Sequence, residues 1–424
     1  MELYIHYPFC VKKCHYCDFL SAPTDRENRA LYLKALVREI RTTAKACRGK
    51  VLDTIFIGGG TPSLMEPKEL AALMDAVRGA FSIASQCEIT MEANPGTLNR
   101  ELLDAMKASG INRLSLGLQS TDNDELYALG RIHQYEDFCE SFQMARTAGF
   151  ENINVDLMSG LPGQTVASWE KALKKVAALR PEHISAYSLI IEEGTPFYEL
   201  YGEDAPAAPQ PGTGSDLLCS VAPQPETGSD PLCTPAPQPA NRSEARPRPV
   251  IRPLPDEEAE RLMYARTKEI LEEYGYCRYE ISNYARPGFE CRHNVGYWRR
   301  EEYLGVGLGA ASLMNGERFE NTRDFKEYLA WILQESFNGC RKNIQVLCRE
   351  DAMAEFMFLG LRLMEGVRDR DFLQCFGQSF MEVYGQVIRQ HCREGLLHYI
   401  EETGQLYLTE RGIDLSNYVL CDFV

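Results

Sequence analysis

Along the first half of the chain the apolar residues follow two alternating patterns. Short runs of β-branched and apolar residues predict strands at 3–6, 54–57, 88–91, 113–118, 152–157 and 184–191. Between them apolar positions recur at helical spacing, as in Leu33, Leu36, Val37 and Ile40, or Leu70, Leu73, Met74 and Val77. Six strand–helix repeats predict parallel strands joined by right-handed crossovers. The roughly 190 residues available fall short of the ~250 that a complete eight-unit barrel needs. The expected fold class is therefore α/β, as a partial (β/α)6 TIM-like barrel or a six-stranded open sheet.

The pattern then stops. No aromatic residue occurs between Gly202 and Met263, and 13 of the 22 prolines lie from Pro206 to Pro255. A 14-residue unit at 208–221 recurs at 222–235, and a third copy begins at 236. Such Pro-, Gly- and Ser-rich sequence buries too little apolar surface to offset its ordering entropy, which predicts a disordered insertion over 203–255. Cys219 and Cys233 owe their spacing to the duplication and have no His or further Cys pair nearby, so they read as bystanders. A helical pattern resumes at 257–274. The last ~80 residues predict helices at 352–364, 372–376 and 380–391 and then a short hairpin, a winged-helix-like order. Glu382, Glu394, Glu401 and Glu402 offer no basic face for DNA, which favours a lid or packing role. The domain reading is 1–202 barrel, 203–255 insertion, 256–338 barrel extension and 339–424 C-terminal domain.

Composition narrows the function. With 44% hydrophobic and 25% charged residues the chain is of globular type. A net charge of −16 argues against binding nucleic acid by phosphate neutralisation. No apolar run approaches the ~18 residues of a membrane span, and no secretory leader is expected where Cys10, Lys12, Lys13, Cys14 and Cys17 stand. Most of the 15 cysteines are scattered singly, as small buried hydrophobes in a reducing cytoplasm would be.

Cys10, Cys14 and Cys17 are the exception. Their C-x3-C-x2-C spacing directly after the first strand suits a compact soft-metal centre, either zinc or an iron–sulfur cluster. Zinc normally recruits a fourth protein ligand, and His15 is squeezed between two of the cysteines. A [4Fe–4S] cluster on three cysteines leaves one iron open to an aminocarboxylate such as the methionyl end of S-adenosylmethionine (SAM). The motif resembles that of the radical SAM superfamily, whose members fold as partial or complete barrels. Other strand ends carry matching features: GGGTP at 58–62, EANP at 92–95, Gln119-Ser120, and Asp156 leading to GLPGQT at 160–165. Barrel enzymes place function at these ends. Taken singly, the glycines are a tight turn, Glu92 and Asp156 are helix caps, and Arg131 is a surface arginine. Together they form one mouth, where bare backbone, carboxylates for ribose hydroxyls or an ammonium group, and a carboxylate-clamping guanidinium meet.

Within the superfamily the chain resembles the group joining oxygen-independent coproporphyrinogen III oxidase (HemN type) with the haem chaperones (HemW type). The resemblance rests on YIHYPFC (4–10), GGGTPS (58–63), EANP (92–95), RLSLGLQS (113–120), LGRIH (129–133), VDLMSGLPGQT (155–165) and YEISNYA (279–285). It implies cluster ligation by Cys10, Cys14 and Cys17, and SAM contacts from Tyr4, Tyr16, Gly59, Gly60, Thr61, Glu92, Gln119, Arg131 and Asp156. The superfamily reaction is reductive cleavage of SAM to a 5′-deoxyadenosyl radical. The oxidase type carries another cysteine two residues after the third cluster cysteine, where this chain has Phe19, and a longer segment before the first strand. The chaperone type carries a His-Asn-x-x-Tyr-Trp motif associated with haem, matched by His293-Asn294-Val295-Gly296-Tyr297-Trp298. Imidazole ligates haem iron and aromatic rings stack on porphyrin; the plain alternative is that His293 and Trp298 anchor the segment to the barrel. Gly309-Ala310-Ala311 departs from the Gly-Ala-His of related chaperones. The resemblance thus implies a haem chaperone, with porphyrin oxidation as the alternative. Its cofactors would be a [4Fe–4S] cluster, SAM and haem, and its partners a haem-acceptor protein, a flavodoxin- or ferredoxin-like electron donor and a second copy in a haem-linked homodimer.

Overall fold

The computed structural model describes residues 1–203, 252–333 and 340–424. The repeat at 208–239, with Cys219 and Cys233, lies outside the described residues.

Six strand–helix units come first. They are β1 (Glu2–Tyr7), α1 (Arg26–Thr43), β2 (Val51–Gly59), α2 (Pro67–Ala80), β3 (Ser82–Ala93), α3 (Arg100–Ala108), β4 (Arg113–Gln119), α4 (Asn123–Ala128), α5 (Tyr135–Thr147), β5 (Ile153–Ser159), α6 (Val166–Ala178) and β6 (His183–Ser188). Strands β1 to β6 pair in sequence order and all in parallel, the partial (β/α)6 barrel of the sequence reading. One face of each strand, with Leu3, Ile5, Ile55, Ile57, Leu114, Leu116 and Val155, is buried against the helices. Helix starts are fixed by side chains, as where Asp25 accepts from the Asn28 N–H at 2.8 Å. The strand expected over 184–191 ends at Ser188, and Ile190 stands 67% exposed beyond it.

The chain after residue 252 extends this sheet at both edges. Following α7 (Pro196–Tyr201) and α8 (Glu257–Glu273), β7 (Cys277–Arg278) and β8 (Asn283–Ala285) lie antiparallel beyond β6. After α9 (Arg292–Trp298), β9 (Tyr303–Val306) pairs in parallel with β1. β10 (Ala311–Met314), β11 (Glu317–Asn321) and β12 (Arg341–Val346) continue outward, making a sheet of twelve strands. These strands are too short and too polar to announce themselves by periodicity.

The C-terminal residues have a separate core that includes Met357, Phe372, Phe380, Ile388 and Leu406, closed by a three-stranded sheet. The helix expected over 380–391 is two, Phe380–Val383 and Gly385–Arg393, interrupted where Tyr384 leaves helical geometry before Gly385. No helix among the described residues is long and apolar enough to cross a membrane.

Candidate functional site

The barrel interior is polar. Alternate residues along β4 and β5 point inward, so Arg113, Ser115 and Gly117 face Asn154 and Asp156. Above them, at the carboxyl ends of the strands, opens a cavity of about 390 Å3. That size is within the range of small-molecule pockets. Its walls include Cys10, Cys14, Cys17, Tyr16, Gly59, Gly60, Thr61, Glu92, Gln119, Arg131 and Asp156.

The cysteine loop is held from both sides. His15 is tied to the turn after α4: its N–H donates to the Leu129 carbonyl at 3.0 Å and its Nδ1 lies 3.0 Å from the Ala128 oxygen. A Cβ on Gly130 would sit 3.0 Å from the His15 ring. On the other side Gly60 N–H donates to Tyr7 O at 2.8 Å and Thr61 N–H to Phe9 O at 2.7 Å. A Cβ on Gly60 would come within 2.5 Å of Phe9 O, and one on Gly59, at φ +111°, within 2.5 Å of the His6 ring. These glycines are therefore required by packing as well as by the cavity.

Burial, with the neighbouring Cys14 and Cys17, pushes the Cys10 thiol up to about 11; burial also raises Cys17. Thiols raised in this way hold their thiolate form only beside positive charge, which a bound iron centre would provide. Among the described residues no three His, Cys, Asp or Glu side chains are set to hold a single ion. Three soft donors with no fourth protein ligand, opening on a polar cavity, fit a cluster with one open iron.

Arg131 directs Nη2 to Asn94 Oδ1 (2.8 Å) and to the Gly117 carbonyl (2.5 Å), with Nη1 3.7 Å from Cys14 Sγ. Glu92 accepts from the Gly59 N–H at 3.0 Å; burial, and then repulsion from Asp156, push its carboxyl up to about 8. Asp156 takes Asn154 Nδ2 at 2.7 Å and Ser115 Oγ at 3.2 Å, and burial raises it despite these bonds. Gln119 is held at φ +74° with its Oε1 accepting from Tyr187 at 3.2 Å. Thr61 Oγ1 accepts from Asn94 Nδ2 at 2.9 Å.

Two expected residues are not brought to this cavity. Tyr4 stacks on Phe56 and its hydroxyl lies 3.0 Å from His6 Nδ1. His293, on α9, is 1% exposed behind Phe56, 5.2 Å between ring centroids. Its Nδ1 meets Thr54 Oγ1 at 2.7 Å and its Nε2 meets the Tyr297 hydroxyl at 3.0 Å. Burial, and then the Arg113 charge, push its ring down to about 3, so it is neutral. Asn294, the next residue, lines the cavity.

Sequence reasoning missed Asn94, Ser115, Asn154, Tyr187 and Arg113. For Arg113, Ser115 and Asn154 the period-two polar positions in β4 and β5 were the available signal. Arg113 is 2% exposed in the cavity wall. Its buried Nε has no hydrogen-bond partner among the described residues, and Cys291, Glu88, Tyr279 and Asp156 act on the guanidinium electrostatically.

Comparison with known proteins agrees with this fold. The radical SAM superfamily model matches residues 4–176, and the HemN C-terminal domain model matches 347–415. Heme chaperone HemW of Bacillus subtilis is 35% identical over 99% of this chain and 98% of its own length. The chain belongs to the HemW family of the radical SAM superfamily. HemW of Escherichia coli is 31% identical, covering 99% of this chain and 97% of that one. The mitochondrial radical S-adenosyl methionine domain-containing protein 1 of Bos taurus is 30% identical over 98% of this chain and 83% of that one. In fold the chain is like coproporphyrinogen III oxidase (HemN) of Escherichia coli, with a TM-score of 0.77 at 22% identity, covering 100% of this chain and 89% of that one.

Proposed function

We propose that this chain is a cytoplasmic haem chaperone that binds haem and passes it to an acceptor protein. The observation that carries the reading is its kinship, over 99% of its length, with proteins named as heme chaperones. Coproporphyrinogen oxidation is the weaker reading: the likeness to HemN is one of fold, and Phe19 stands where the oxidase type carries a further cysteine.

Cys10, Cys14 and Cys17 would hold the cluster, which supplies an open iron and reducing electrons. Gly59 and Gly60 bring backbone to the cavity wall, and Thr61, Gln119 and Tyr16 complete the SAM-facing surface. Glu92 and Asp156 offer acceptors for an ammonium group and ribose hydroxyls. Arg131, already anchored through Asn94, keeps donors for a carboxylate beside Cys14. On this reading SAM and cluster govern haem transfer or assembly, and sustained turnover is not required.

His293 is assigned the haem contact. It is neutral and therefore able to ligate iron. With both nitrogens engaged by Thr54 and Tyr297, it reaches haem only if α9 lifts and the Tyr297 bond is exchanged. The deciding experiment incubates anaerobically purified, cluster-loaded protein with haem, and separately with coproporphyrinogen III, SAM and a reductant. The chaperone reading expects a Soret band, haem passed to an apo-haemoprotein, and no protoporphyrinogen. Protoporphyrinogen formation contradicts it.

A further inference from the structure

The YEISNYA segment lines the cavity through Asn283, and its first residue, Tyr279, stands between the cavity and the start of α9. Asp156 Oδ1 accepts from Asn154 Nδ2 at 2.7 Å, and Asn154 Oδ1 lies 2.6 Å from His183 Nδ1. His183 Nε2 is 2.8 Å from the Tyr279 hydroxyl, whose oxygen accepts the Cys291 backbone N–H at 3.3 Å. Cys291 is the N-cap of α9 and makes no side-chain cap bond of its own. Two residues on, the His293 N–H donates to Glu88 Oε1 at 3.3 Å, the oxygen that Cys291 Sγ also approaches at 3.7 Å. Asn154, His183, Cys291 and His293 are all buried.

The chain of bonds has a direction. Asp156 Oδ1 accepts here, so Asn154 turns its NH2 to Asp156 and its oxygen to His183. Its neighbours agree: Ser115 Oγ accepts from Nδ2 at 2.8 Å, and Ser185 Oγ donates to Oδ1 at 3.1 Å. His183 then carries its proton on Nδ1, Nε2 accepts from the Tyr279 O–H, and a phenol lone pair is left for Cys291. Turning Asn154 over reverses every link: His183 protonates at Nε2 and the Tyr279 O–H is displaced. Buried networks of this kind are costly when only partly satisfied, so the two directions form discrete alternatives.

We propose that Asn154, His183 and Tyr279 are positioning residues through which a hydroxyl-bearing ligand at Asp156 holds the start of the His293 helix. A ligand hydroxyl donating to Asp156 keeps that carboxylate an acceptor and fixes the first direction. The consequence for haem rests on the function proposed above, and by reciprocity haem in turn tightens the cavity's ligand. The relay itself does not depend on that function.

The test is amide hydrogen exchange on the full-length, cluster-loaded chain with and without SAM. SAM should slow exchange at Cys291 and His293 about fivefold or more. In Tyr279→Phe, which keeps the ring and loses both bonds, the slowing should vanish while SAM affinity stays within about twofold of the parent. Should that variant not fold, His183→Leu makes the same comparison. Equal slowing in the variant, or none in the parent with SAM bound, overturns the relay. A parallel titration should show haem affinity rising by a similar factor with SAM in the parent and not in the variant. A chain that binds no haem contradicts the chaperone reading and leaves the exchange experiment to decide the relay.

Discussion

The guanidinium of Arg131 lies 3.7 Å from Cys14 Sγ, joining residues 117 positions apart. The contact exists because the turn after α4 is bonded to His15 and because Asn94 and the Gly117 carbonyl hold the guanidinium. A cation fixed beside a cluster ligand stabilises the more negative, reduced cluster. Arg131→Ala should therefore lower the cluster's reduction potential by about 60 mV or more, the one-electron equivalent of a tenfold change in equilibrium constant. Arg131→Lys should recover much of the loss. Redox titration without SAM checks both values.

Glu92 makes the ligand-free protein sensitive to pH. Its carboxyl is raised from the ordinary 4.5 to about 8, so the folded state keeps a proton that the unfolded state has lost between those values. Stability contributed by the neutral group is therefore lost as pH rises through this window. The melting temperature of ligand-free protein should fall by a few degrees from pH 5 to pH 8; Glu92→Gln should reduce that slope, to which buried Glu2 and Glu39, raised to about 9 and about 7, also contribute, while weakening SAM binding. Thermal melts across pH, with and without SAM, separate the two effects.

Tyr297 competes for the nitrogen that haem iron would take. Removing one hydrogen bond of about 1 kcal/mol frees His293 Nε2, so Tyr297→Phe should tighten haem binding about fivefold. His293→Ala should weaken the Soret band strongly. An unchanged spectrum in His293→Ala would remove that residue from the haem site.

Gly60 tests the cysteine loop. A methyl group there meets the Phe9 carbonyl at 2.5 Å, backbone that has little room to yield. Gly60→Ala should destabilise the protein by roughly 1–3 kcal/mol and lower its bound iron, measured by denaturant melts and iron analysis.

Much of this was legible in the chain. Alternating runs set out β1 to β6, because strands buried against helices must be apolar on that face, and the cysteine spacing located the cavity. The added strands β7 to β12 were not legible, being short and stabilised by edge pairing rather than by a periodic apolar face. Arg113 and Asn154 were hidden for another reason: inside a central strand a polar residue looks like an error unless the barrel interior is known to be open. The motif at 293–298 drew attention to His293, but only the fold shows that Asn294 faces the cavity while His293 packs behind Phe56.

Electron paramagnetic resonance of the reduced protein, prepared without oxygen and recorded before and after adding SAM, tests the account most directly. A [4Fe–4S] signal whose g-values move on adding SAM is the predicted result, since the iron lacking a cysteine would take the new ligand. A spectrum that SAM leaves unchanged contradicts it.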